Sequence, residues 1–186
     1  MKMTALRYPP VLLAAILFLV LAAASCRADP TVKAGGAEQR PSSELTAGWH
    51  LVRTRNPRGD AGIVSIMHTA DTSRSDLDLA GLMIRCSSNG RAEVVIVLIR
   101  PFPLRARPQV VFGKPGNETQ LEATVGPPGT AIVLPTDATT LVRGSWQALN
   151  DLFIRVNDGQ DTIRGVVMLG GLQAAFNELM ASCPVR

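Results

Sequence analysis

This chain of 186 residues is poor in rings: one Tyr, two Trp, five Phe and two His. A protein that stacks nucleic-acid bases needs aromatic side chains interleaved with a basic groove, and the few rings here are scattered. The charge excludes the same class. The formal net charge is +4, but Lys2, Arg7 and Arg27 fall in residues 1–28, which hold no acid. The rest of the chain carries 16 basic against 15 acidic residues and is close to neutral. The sequence therefore argues against a nucleic-acid partner.

The two histidines, His50 and His68, are too few for a zinc site, which needs three or four ligands. Cys86 could be a third only if it is not otherwise engaged. Asp71, Asp76 and Asp78 share one polar loop and Asp158 and Asp161 another. Neither group has EF-hand spacing, so both are expected as solvated turns with no metal. No G-x-S-x-G elbow is present, and Gly144-Ser145-Trp146 lacks the closing glycine. No phosphate-binding glycine loop is present either. The sequence thus points to no catalytic set and no cofactor. The alternative is an envelope hydrolase using His50 or His68, which sit on neighbouring strand candidates.

A long hydrophobic run is also missing. The apolar stretch 11–24 is about 14 residues, short of the ~20 that span a bilayer. It follows Lys2 and Arg7 and precedes small residues, the pattern of a secretory signal over residues 1–28. The cut site stays open. Cys26-Arg27-Ala28 permits cleavage before Asp29, and Ala22-Ala23-Ala24 is also permissive. Ala23-Ala24-Ser25-Cys26 could act as a lipobox instead, which makes Cys26 a candidate for lipidation. A lipid at Cys26 would be the one route to a membrane, tethering the protein without making it span. The expected location is periplasmic or secreted. Arg outnumbers Lys, as in a high-GC bacterial gene.

Residues 29–46 are rich in Pro, Gly, Ser and charge and read as a flexible leader. Residues 47–186 are long enough for one domain with its own core. Here short apolar runs alternate with turn residues, the pattern of an all-β chain. Strands are expected at 49–55, 63–69, 79–86, 92–99, 109–112, 119–125, 130–134, 151–156 and 162–169. Turns are expected at 56–60, at Asn89-Gly90, at 126–129 and at 157–160. The run 92–99 is apolar on both faces after Glu93, so it is expected as a central strand. A short helical turn is expected near 137–141. Near the end the period changes. Leu172, Ala175, Phe176, Leu179 and Cys183 recur at helical spacing, predicting a helix over 171–183 stopped by Pro184. The expected fold is mainly β, an antiparallel sandwich or curved sheet closed by a C-terminal α-helix.

Cys86 and Cys183 are expected to pair. In the strand 79–86, Leu82, Ile84 and Cys86 share one side; in the helix, Cys183 shares the stripe of Phe176 and Leu179. Both sulfurs then face the core, and an export signal implies an oxidising compartment. A nucleophile needs an accessible thiolate beside a base, which an inward cysteine with a second cysteine nearby does not offer.

The order of marks is familiar: Gly48-Trp49, "NPRGD", "LMIRC" followed by Asn-Gly and a long apolar strand, Gly144-Ser145-Trp146, "LFIRV", and "GVVMLGGLQAAFNELMASC". Over residues 47–183 it resembles the VasI/TagO-like exported accessory proteins associated with bacterial type VI secretion. The resemblance implies an exported, non-catalytic, β-rich binding or accessory protein whose partner is an envelope or secretion-system protein. The chain departs from the family in three places. Only Asp60 stands where Asp-rich text is usual, aromatic residues in the middle region are thin, and Pro184-Val185-Arg186 replaces the usual final aromatic. A purely structural lipoprotein is a further alternative. Trp49, Arg85 and Trp146 are the expected contacts to a partner: the tryptophans as large apolar anchors, and Arg85 because alternation puts it opposite the core.

Overall fold

A computed structural model describes residues 43–54, 62–87, 89–157 and 161–183. The signal, Cys26, most of the leader, the 56–60 turn, the 158–160 turn and Pro184 lie outside the described residues.

Eleven strands are described, all paired antiparallel. They are β1 (Ser43–Glu44), β2 (His50–Thr54), β3 (Ile63–Thr69), β4 (Leu79–Cys86), β5 (Ala92–Leu98), β6 (Gln109–Lys114), β7 (Asn117–Glu122), β8 (Thr124–Gly126), β9 (Ala131–Asp137), β10 (Asp151–Asn157) and β11 (Thr162–Met168). A seven-stranded sheet has the order β1-β2-β3-β4-β5-β9-β8, and a four-stranded sheet has the order β11-β10-β6-β7. Two helices complete the fold: α1 (Ala138–Thr140), which runs into a π-type turn at Leu141–Ser145, and α2 (Leu172–Ser182). The chain is mainly β with a C-terminal helix, as the alternation and the late change of period predict.

The core lies between the sheets. Leu82, Ile84, Val94 and Ile96 point inward from β4 and β5; Val110, Phe112, Leu152, Ile154, Val156 and Val167 meet them from the small sheet. Helix α2 lays Leu172, Ala175, Phe176 and Leu179 on the same core, beside β2, β3 and β4. Burying one such side chain stabilises by about 1.5–3 kcal/mol before entropy is counted. Cys86 and Cys183 form a disulfide with a Cα–Cα distance of 5.7 Å. It ties the end of α2 to the end of β4, across 97 residues of sequence.

Three expectations need correction. The strand expected at 119–125 is two strands. Its first part, β7, pairs with β6 in the small sheet, and its second, β8, pairs with β9 in the large one. The chain changes sheets at Ala123, which is fully buried and whose N–H donates to the Pro108 carbonyl at 2.9 Å. A buried crossing demands a small side chain there, and period-2 patterning carries no mark of it. Second, the fold begins before residue 47. Ser43 and Glu44 pair with Leu51 and His50, and the Leu45 N–H donates to the Trp49 carbonyl, so the last residues of the expected leader belong to the sheet. Third, the helical turn near 137–141 is longer than expected. Asp137 caps it by accepting from the Thr139 N–H at 2.7 Å, and the coil continues past Leu141 until Gly144, whose φ of −115° and ψ of −108° are not helical.

The loop between β3 and β4 does more than connect. The Asp71 and Asp76 N–H groups donate to the carbonyls of Val166 and Arg164, and the Val166 and Arg164 N–H groups donate to Ser75 Oγ and Asp76 Oδ2. The loop thereby closes the free edge of β11, which would otherwise invite another strand. Gly165 makes the approach feasible: a Cβ there would stand 2.4 Å from Leu79 Cδ2 and 2.5 Å from Ser75 Oγ.

Candidate functional site

The expected contacts fare differently. Trp49 and Trp146 are both in the core, at 0% and 2% exposure. Trp49 donates its Nε1–H to the Gly170 carbonyl at 3.0 Å and packs edge-on against His68. Trp146 meets Phe112 edge-on at 5.8 Å. Neither can anchor a partner at the surface, because the packing that accepts them also covers them. Arg85 does lie on the outer face of the large sheet. Its guanidinium is engaged by Glu93, directly across β5, through Nη2 at 3.0 Å and Nε at 3.1 Å.

The two histidines occupy opposite faces of the large sheet. His50 sits half-buried opposite Met67, while His68 is opposite Leu82 and nearly buried. The His68 ring nitrogens face two backbone carbonyls, Nδ1 at 2.8 Å from Thr69 O and Nε2 at 3.0 Å from Ala47 O. Neither nitrogen meets a carboxylate or hydroxyl among the described residues. The expected approach of His50 and His68 across a hairpin does not occur, since adjacent residues on a strand point to opposite sides.

Among the described residues no three of His, Cys, Asp and Glu gather as a metal set. Asp71 accepts from the Ser73 hydroxyl and N–H and from Arg74 Nε at 2.6 Å. The Ser73 hydroxyl, then Arg74, hold its carboxyl down to about 2 from an ordinary 3.8. Arg74 also reaches Asp151 at 2.8 Å, and these two carboxylates raise its affinity for its proton. Asp78 faces Arg100 at 3.6 Å. Each of these acids is held by an arginine or by the local backbone.

The outer face of the small sheet is different. Alternation turns Leu152, Ile154 and Val156 of β10 inward and Phe153 and Arg155 outward. Along β11 it turns Arg164 and Val166 outward. The register then sets Arg155 directly opposite Arg164, and Phe153 opposite both Val166 and Gly113. Gly113 has φ +136, and a Cβ there would stand 2.6 Å from the Asn117 carbonyl, so this place in the row stays bare. A shallow groove of about 220 Å³ results, lined by Val111, Glu118, Phe153, Arg155 and Arg164 over the backbone of Ile154 and Gly165.

No protein-family model, curated protein or solved structure matches this chain. The groove must be judged on its own chemistry. Two guanidinium groups sit on directly opposed residues, where like charges destabilise a sheet. Arg155 is answered by Glu118 at 3.3 Å. Arg164 has no acidic partner among the described residues; Asp76 accepts from its backbone N–H, not its side chain. Phe153 beside it remains 38% exposed. A guanidinium with no acidic partner among the described residues, next to an exposed ring, suits the binding of an anion that carries an apolar part. Phe153, Arg155 and Arg164 were not singled out from sequence, although "LFIRV" and "TIRGVV" carry the alternation that turns them to one face.

Proposed function

We propose that this protein is an exported, non-catalytic binding or accessory protein of the bacterial envelope, working through the outer face of its four-stranded sheet. The observation that carries this reading is the juxtaposition of Arg155, Arg164 and Phe153 on that face, where Arg155 pairs with Glu118 and Arg164 has no acidic partner among the described residues. The disulfide is compatible with an extracellular or periplasmic setting. Among the described residues no helix is long and apolar enough to cross a membrane. The signal-like residues 1–28 and the candidate lipid site Cys26 supply the route out of the cell. The resemblance to VasI/TagO-like proteins supports a partner belonging to a secretion system, as part of the same proposal.

A photo-crosslinking residue placed at Phe153, compared in living cells with one at Ile63 on the large sheet, tests the reading. A discrete envelope product at position 153, absent at 63 and lost with R164E, is expected. Equal products at both positions, or none at 153, would overturn it. Acylated Cys26 or free Asp29 in the mature protein, read by mass spectrometry, separates a tethered from a released form.

A further inference from the structure

We propose that the groove on the small sheet is a carboxylate site, in which Arg164 takes the anion and Phe153 and Val111 take an apolar body attached to it. This rests on the reading of that face as the working surface and narrows it to one ligand chemistry.

The placement of the side chains makes the argument. One cross-strand row runs Val166, Phe153, Gly113, Glu118, and the next runs Arg164, Arg155, Val111, Gln120. Because Gly113 has no side chain, Arg155 can lean over the bare backbone to its diagonal neighbour Glu118. That leaning draws Arg155 away from Arg164, and the groove lies among these side chains. Arg164 stays at the β11 side with its donors unused by any acid among the described residues. Elsewhere Arg74 pairs with Asp71 and Asp151, Arg85 with Glu93, and Arg100 with Asp78 and Asp161. Other arginines, Arg53 among them, also lack an acidic partner among the described residues, but Arg164 lacks one while standing directly opposite another arginine.

The planar fork of a guanidinium matches two carboxylate oxygens. An anion beside Arg164 also screens the repulsion from Arg155, so binding removes a cost already present in the free protein. The neighbouring apolar residues set the second requirement. Phe153 offers an exposed ring to the ligand body, and Val111 a nearly buried aliphatic floor. A bare inorganic anion would leave this half of the groove wet. Glu118 limits access to the second arginine, since an incoming carboxylate and Glu118 compete for Arg155.

The test is a titration of benzoylglycine into isotope-labelled protein followed by NMR. The expected result is a set of shifts confined to β6, β10 and β11, with a dissociation constant on the order of 1 mM, as a ligand of about a dozen heavy atoms in an open groove allows. R164Q should weaken binding about tenfold, the scale of one charge-assisted contact. E118Q, by releasing Arg155, should tighten it severalfold. Benzoylglycinamide, which lacks the charge, should bind about tenfold more weakly. A tetrapeptide ending in a free Phe carboxylate that binds tighter than benzoylglycine identifies a chain terminus as the source; a weaker one identifies a small acid. The proposal is overturned if R164Q binds as well as the parent, if the amide binds as well as the acid, or if inorganic phosphate matches benzoylglycine. It is also overturned if no shifts appear at saturating probe. If the probe fails while the crosslink at Phe153 persists, the ligand chemistry is wrong and the working surface stands.

Discussion

The two sheets meet their surroundings in different ways. On the outer face of the seven-stranded sheet Arg85 faces Glu93, Met67 faces Met83, and Val95 stands fully buried between Met83 and Val133. Glu93 also lies opposite Asp137, but Arg85 holds the first of these acids and the Thr139 N–H the second. On the outer face of the four-stranded sheet Arg155 faces Arg164, and Gly113 leaves a gap beside Phe153. On the first face the opposed acids Glu93 and Asp137 each have a partner within the chain. On the second, Arg164 has no acidic partner among the described residues. Sheets are stabilised pair by pair across strands, so an unmatched pair on an otherwise ordered face is the informative feature. Each sheet also has its own fastening, the disulfide with α2 for the large one and the 70–78 loop along β11 for the small one.

The largest effect should come from the fastening of the large sheet. The C86A/C183A variant should lose about 4 kcal/mol in urea unfolding, since the bridge closes a loop of nearly 100 residues. A loss below about 1 kcal/mol would mean that α2 is held by packing alone. Next, G165A should cost about 1–3 kcal/mol, because the new methyl must displace Leu79 or Ser75 in a tight contact. Hydrogen exchange should then rise at Val166, whose N–H relies on Ser75 Oγ; unchanged exchange there would separate overpacking from loss of the edge clamp.

Two smaller substitutions compare the faces directly. R85Q removes a half-buried ion pair and should destabilise by about 1 kcal/mol. R164Q removes one of two opposed cations and should be neutral or slightly stabilising, by a few tenths of a kcal/mol. Thermal melts at low salt are the measurement, and the opposite ranking would show that Arg164 already has a counter-charge. The smallest effect is pH-linked. The folded-state affinity of Asp71 for its proton is depressed to about 2, so its contribution is present above the ordinary value near 3.8 and is lost as pH falls through about 2. D71N should therefore show a shallower fall in melting temperature between about pH 4 and pH 2 than the parent. The group is exposed, and equal slopes would assign the acid response to other carboxylates.

Much of the fold was legible in sequence because its signals are local. "LMIRC" alternates, so Leu82, Ile84 and Cys86 had to share a side. The i, i+3, i+4, i+7 stripe from Leu172 to Leu179 had to form one helix face. Their union in a disulfide followed from both faces seeking the same interior. The tryptophans misled because a large ring with one polar atom suits either an interface or a core. Trp49 satisfies that atom with the Gly170 carbonyl, a partner 121 residues away that no local pattern reveals. The break at Ala123 escaped for a similar reason, since β7 and β8 look like one strand until their partners in different sheets are known.

The sequence by itself determined which residues share a strand face or a helix stripe, because side-chain direction repeats every two residues in one and about every 3.6 in the other. It also determined that Cys86 and Cys183 both point to an interior. Only the tertiary structure decided which face of the β10–β11 hairpin is covered by the large sheet and which is left with Arg155, Arg164 and Phe153. That choice depends on β6 pairing with β10 across some forty residues of intervening chain. Periodicity sorts side chains into two faces, but burial of one face against a distant sheet names the face that stays outside.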